Sequence, residues 1–304
     1  MHFDWTMALG SFLVAIIVGL TGMGGGALMT PMLVAFFGVS PLTAVSSDLV
    51  AAAVMKPVGS AVHYRQGTIN MRLVAWLCAG SVPAAFCGVL VAKALGDGAG
   101  VQDFVQRALG AALLLAAGGL VLRGYQALKG RGPKDDDGPA PEIEIRKVPT
   151  VLVGALGGLV VGITSVGSGS LIIVALLALY PSLQAKQLVG TDLLQAVPLV
   201  LSAALGHLLF GDFKLEVTLA LLAGSIPGVY LGSRISSRAP GALIRRVLVV
   251  VLVASALKMF GVPAVPLAWI LVAIVSASTG AWLVLRRRAA SAAAPAEKPR
   301  APIG

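Results

Sequence analysis

The chain has 304 residues, of which 57% are hydrophobic and only 12% charged, and its mean hydropathy is +0.92. A soluble domain carries about 25% charged residues, so the composition excludes a soluble enzyme or binding module and points to an all-α integral membrane protein in the lipid bilayer. The net charge of +10 would suit a nucleic-acid binder, but the basic residues lie in short stretches between apolar segments; they read as topology signals, and nucleic acid is not an expected partner.

The opening MHFDWTMALG carries no Lys or Arg and no small-residue cleavage site follows, so it is expected to stay in the mature chain. Residues 7–37 are too long for one straight span, since about 20 residues at ~1.5 Å each cross about 30 Å of hydrocarbon. The glycine cluster in GLTGMGGGALMTP, residues 19–31, divides them into legs too short for two spans. That predicts a hairpin entering and leaving on one side, or one broken span. Spans follow at 44–63, 72–92 and 104–122, then a polar connector rich in Pro and Gly. A split segment at 150–180 and spans at 188–210, 215–233 and 242–260 repeat the plan, and a last span at 266–285 has no counterpart. The expected divisions are a first transmembrane repeat (1–124), a cytoplasmic linker (125–148), a second repeat (149–262), an extra span (263–286) and a disordered cytoplasmic tail (287–304).

The two halves are copies. GLTGMGGGALMTP returns 143 residues later as GITSVGSGSLIIV: Gly19, Thr21, Gly24 and Gly26 match Gly162, Thr164, Gly167 and Gly169, while Gly22, Gly25 and Ala27 become Ser165, Ser168 and Ser170. After a one-residue gap the match continues at a spacing of 144, through Asp48 and Asp192, His63 and His207, Gly80 and Gly224, and Gly88 and Gly232. Apolar repeats broken by glycine at corresponding places are the pattern of a secondary transporter.

Of the 23 Lys and Arg, Lys56 lies inside a span. If each split segment returns to its own side, Lys93, Arg107, Lys214 and Lys258 fall on one face of the membrane and the remaining eighteen on the other, a strong positive-inside asymmetry. Three full crossings per repeat invert the second copy. The expected architecture is two inverted repeats, seven full spans and two glycine-broken re-entrant segments, counted as eight or nine spans by hydropathy, with the N-terminus outside and the C-terminus in the cytoplasm.

Irregular backbone is tolerated at membrane depth only where protein buries it or a cavity borders it, so the two breaks are expected to frame one site. Its candidate residues are Thr21, Gly22, Gly24, Gly25, Gly26, Thr164, Ser165, Gly167, Ser168 and Gly169, with the free N–H groups of two short helices favouring an anion; the alternative is that the small residues only permit close packing. Lys56 costs about 2.5–3.5 kcal/mol at mid-helix and reads either as the cation for an anionic substrate or as half of an ion pair with Asp48 or Asp192. Those two carboxylates read as helix N-terminal caps or as the coupling groups of a proton- or cation-driven cycle. His63 and His207 are expected at the membrane surface, with a proton relay as the alternative. A Ser168–His207 hydrolase pair fits poorly, because the first repeat has Gly25 in place of Ser168 and no G-x-S-x-G elbow occurs. No Walker A, HExxH or Cys/His metal spacing is found, so no cofactor, metal or catalytic residue is expected.

GLTGMGGGALMTPMLV and GITSVGSGSLIIVALLALYP, VSSDLVAAAV and VGTDLLQAVP, HYRQG and HLLFG, and AGSVPAAFCG and AGSIPGVYLG occur in this order and twice over. In these the chain resembles the sulfite exporter TauE/SafE family over about residues 8–260. The resemblance implies an inner-membrane carrier of small sulfur-containing anions, such as sulfite or an organosulfonate, working as an exporter. A non-transporting accessory or scaffold subunit and an anion channel are the other classes open to such a sequence.

Overall fold

The computed structural model describes residues 4–21, 25–65, 69–96, 98–128, 143–236, 241–273 and 276. Among them, each apolar segment forms helix. The first split segment gives α1 (Trp5–Thr21) and α2 (Gly26–Phe37), followed by α3 (Pro41–Arg65), α4 (Met71–Ala94) and α5 (Ala99–Leu128). The second half gives α6 (Lys147–Thr164), α7 (Leu171–Leu179), α8 (Ala185–Phe210), α9 (Leu215–Ser236) and α10 (Gly241–Met259). These ten helices belong to one compact unit, residues 1–261. Residues 262–304 form a second unit containing the short apolar helix Ala264–Ala273. Most of the linker, the end of the span expected at 266–285 and the tail lie outside the described residues.

Among the described residues, five helices are long and apolar enough to cross a membrane: Met71–Ala94, Ala99–Gln126, Lys147–Thr164, Gln187–Phe210 and Leu215–Gly232. The second split segment is therefore uneven. α6 starts inside the polar stretch and, at 18 residues, reaches about 27 Å, whereas α7 has 9 residues and covers only about 14 Å.

Capping is local and readable. The Asp4 carboxylate accepts from the Thr6 hydroxyl at 2.6 Å and from the Met7 and Thr6 N–H groups at 3.0 and 2.9 Å, and these bonds hold it below the usual carboxylate range. α2 stops at Gly38, whose left-handed φ of 64° lets its N–H reach Leu33 O.

Packing runs between the halves more than within them. In α9, Gly224, Gly228 and Gly232 lie against the carbonyls of Ala8, Phe12 and Ile16 of α1, so close that an added Cβ would sit 1.9, 2.5 and 2.2 Å from those oxygens. In α6, a Cβ added at Gly154, Gly158 or Gly162 would likewise sit 2.3, 2.3 or 2.1 Å from the carbonyl oxygens of Leu77, Ser81 and Ala85 of α4. Small residues every fourth position line one helix face and let two backbones meet, the usual means of association where lipid removes the hydrophobic drive. Residue numbers rise together along both seams, so α1 runs parallel to α9 and α4 parallel to α6.

Side-chain bonds fix the other directions. Ser225 and Thr218 of α9 reach Met55 and Ser47 of α3 in ascending order, and Ser81 and Val82 of α4 meet Gln195 and Ser202 of α8. The start of α3 meets the end of α8 through Ser46 and His207, while Asn70, past the end of α3, bonds Thr191 near the start of α8. Hence α1, α3 and α9 share one direction, and α4, α6 and α8 the opposite one. Since α1 and α3 run the same way with only α2 between them, α2 carries the chain back; α7 does the same between α6 and α8. One bond recurs in both halves: Ser47 Oγ accepts from the Lys214 N–H at 3.4 Å, and Thr191 Oγ1 from the Asn70 N–H at 3.2 Å.

Candidate functional site

The second glycine break turns through three left-handed residues, Ser165, Gly167 and Gly169, at φ 61°, 135° and 92°. A chain that leaves helical geometry exposes polar groups, and in a buried position each needs a partner. Ser165 Oγ donates to Asp48 Oδ2 at 2.7 Å, beside Thr30 Oγ1 of α2, which donates to the same oxygen at 2.8 Å. Ser168 Oγ accepts from Lys56 Nζ. The Gly169 N–H donates to the Asp192 carboxylate, whose Oδ1 also accepts from Gln195 Nε2 at 3.1 Å. Ser165, Ser168 and Gly169 of one turn thus engage Asp48, Lys56 and Asp192, and Lys56 lies within Coulombic range of both Asp192 and Asp48.

The first break meets the second at Gly26, where an added Cβ would lie 1.9 Å from Ser165 O. Gly25 has room, its nearest neighbour being Met29 Cγ at 3.6 Å. The side chain of Thr21, together with Gly22 and Gly24, lies outside the described residues.

Several expectations are corrected by this geometry. α3 begins at Pro41, a residue suited to a first helical turn, so Asp48 stands seven residues inside α3, and Asp192 seven residues inside α8. Both are buried, at 3% and 1% exposure, and neither caps its helix. The amides of α7 are not free: Ser170, Leu171 and Ile172 N–H groups turn to Gly167 O at 3.4, 3.0 and 3.4 Å. Thr164 Oγ1 is engaged by its own backbone, donating to Val160 O at 2.6 Å and accepting from the Val166 N–H at 3.1 Å.

His207, expected to be interfacial, is fully buried inside the protein. Its Nε2 lies 2.8 Å from Gly162 O, an atom that can only accept, so the proton sits on Nε2 and Nδ1 accepts from Ser46 Oγ at 2.8 Å. Both ring nitrogens are satisfied in the neutral form, and His207 ties α3 and α8 to the last turn of α6. With His207 committed there and Ser168 on Lys56, no hydrolase dyad forms. The side chain of His63 lies outside the described residues. Three participants escape the sequence reading: Thr30, Gln195 and Ser81, the last donating to Gln195 Oε1 at 3.3 Å. Gln195 had a visible signal, being three residues from Asp192 on one helix face.

A model of the family "Sulfite exporter TauE/SafE" matches residues 7–259, from α1 to the end of α10 and across both breaks. The chain belongs to this family. As a TauE/SafE protein it is a multi-pass membrane transporter and not an enzyme. It is similar to the probable membrane transporter protein YjnA of Bacillus subtilis (strain 168), at 36% identity over 247 residues, covering 81% of this chain and 95% of that protein. The probable membrane transporter protein YdhB of the same organism is 24% identical over 240 residues, 77% of this chain and 91% of its own. No solved structure matches the chain.

Proposed function

We propose that this TauE/SafE protein is a secondary transporter that exports a small sulfur-containing anion, sulfite or an organosulfonate, across the inner membrane. The observation that carries the reading is the contact of Lys56 with Ser168. A cation set into the interior beside a serine-bearing turn offers an anion a charge and hydroxyl donors at one place. The proposed site residues are Gly25, Gly26, Thr164, Ser165, Gly167, Ser168 and Gly169 of the two breaks, which meet at Gly26 and Ser165, with Lys56 on Ser168; Thr21, Gly22 and Gly24 complete the set by sequence. Family membership supports the substrate class.

In this reading the halves are inverted repeats with seven full crossings, and α1–α2 and α6–α7 are re-entrant hairpins. The opposed directions of α1 and α6, α3 and α8, and α4 and α9 support it. Lys93, Arg107, Lys214 and Lys258 all fall toward the end of the bundle where α3 and α5 begin and α8 and α10 finish, joined there by Leu42 to Gln102 and Gln106 to Met259 bonds. That end is the outer one, which leaves the N-terminus outside and the C-terminus in the cytoplasm. Asp48 and Asp192 share one ammonium, so a proton on either carboxylate changes the charge that the anion meets; they are the coupling groups.

The test is flux in proteoliposomes of the purified chain, with sulfite, thiosulfate, sulfate, sulfoacetate, taurine and acetate, each with and without a pH gradient. Saturable, exchangeable movement of a sulfur anion is expected. Flux that does not saturate would make it a channel, and no flux together with a co-purifying partner would make it an accessory subunit.

A further inference from the structure

The second break carries the hydroxyls of Ser165, Ser168 and Ser170 and the Gly169 N–H, four groups that can donate. Three are engaged, by Asp48, Lys56 and Asp192 respectively. The fourth, Ser170 Oγ, belongs to a residue only 4% exposed and has no hydrogen-bond partner among the described residues. Ser170 is the N-cap residue of α7, yet its side chain makes no capping bond to that helix. Buried hydroxyls find partners in the great majority of cases, and this one stands out against that rule.

We infer that Ser170 donates its hydroxyl to the transported anion, which is held at the second break by Ser168 and Ser170 together with Lys56 of α3, and not equally by both breaks. The inference rests on the transport reading above and names the donors within it. Lys56 Nζ can only donate, so Ser168 Oγ accepts from it and its own proton points elsewhere. That makes two hydroxyl donors, two residues apart, at a turn that also meets an ammonium. The amides at the start of α7 are already turned to Gly167 O, which leaves recognition to the side chains. The first break cannot repeat the arrangement: Gly25 and Ala27 stand where Ser168 and Ser170 do, and the α8 residue that corresponds to Lys56 of α3 is the buried Val200. Hydroxyl donors around an ammonium suit an anion that presents two or more oxygens, which sulfite and sulfonates do.

Sulfite affinity of the purified full chain in nanodiscs, measured by calorimetry under anaerobic conditions, tests this together with melting in the absence of sulfite. Ser170→Ala should bind sulfite at least tenfold more weakly while melting no lower than the wild type without it, since the hydroxyl has no partner to lose. Ser170→Cys, a weak donor of similar size, should show the same loss and provides a second readout if the alanine variant folds poorly. Affinity within twofold of wild type in a folded variant would overturn the inference, as would a lower melting temperature with unchanged affinity. If the wild type itself binds no sulfite, the transport reading fails and the inference falls with it, an outcome seen before any variant is made.

Discussion

Ser165 occupies left-handed backbone at φ 61°, a conformation that glycine takes without strain, and its repeat counterpart is Gly22. A serine there costs backbone energy and returns a hydroxyl bond to Asp48. Ser165→Gly should therefore keep or slightly raise the melting temperature while reducing transport at least tenfold; unchanged flux in liposomes would separate Asp48 from the cycle. Lys56→Met removes the one ammonium that faces both Asp48 and Asp192, and loss of saturable sulfite flux is expected, whereas Lys56→Arg should keep part of it. Asp48→Asn and Asp192→Asn, assayed in the same liposomes, should each flatten the dependence of flux on the pH gradient. At this scale the sequence was informative where cost is high: Lys56, Asp48 and Asp192 stand out because charge at membrane depth is expensive. Their partners were not legible, because Thr30 and Gln195 are ordinary polar residues until the fold brings carboxylates to them.

The seams between helices depend on glycines whose missing side chains admit a neighbouring carbonyl. Gly158→Leu and Gly228→Leu should each cost more than about 3 kcal/mol and lose the folded protein, read as aggregation on size-exclusion chromatography. Gly118, with nothing within 4 Å of its added Cβ, is the control and should accept leucine. His207→Phe strands Ser46 Oγ and Gly162 O in the interior and should destabilise by about 1–3 kcal/mol, measured by thermal melting. The helices themselves were legible from hydropathy, to within a few residues. Helix starts were less so, and that error misplaced chemistry: with α3 starting at Pro41 and not at 44, Asp48 stands seven residues inside the helix where four were expected, about two turns from any capping position. His207 was misread for a related reason. Its place near a helix end suggested the surface, but α3 and the last turn of α6 cover that end.

For the whole molecule, the duplication was plain in the letters, but the way its halves interlock was not. The four-residue spacing of Gly154, Gly158 and Gly162 and of Gly224, Gly228 and Gly232 lies in the sequence but went unread; which helix each set would face depends on contacts more than seventy residues away in sequence. Cysteines introduced beside Lys93 and Lys214, in a background lacking Cys78 and Cys87, should react with impermeant reagents from outside the cell, and one in the connector only after permeabilisation. Cutting the chain in the connector should give two fragments that fold when made together and not when made singly, since α1 packs on α9 and α4 on α6 across the cut.

The α1–α9 seam also has a cost in time. α1 begins at Trp5 and α9 at Leu215, about 210 residues later, and at about 5–20 residues per second the ribosome needs on the order of 10–40 s to deliver the second after the first. Throughout that interval the backbone face at Ala8, Phe12 and Ile16 stands open in the bilayer, available to the insertion machinery or to α9 of a neighbouring nascent chain.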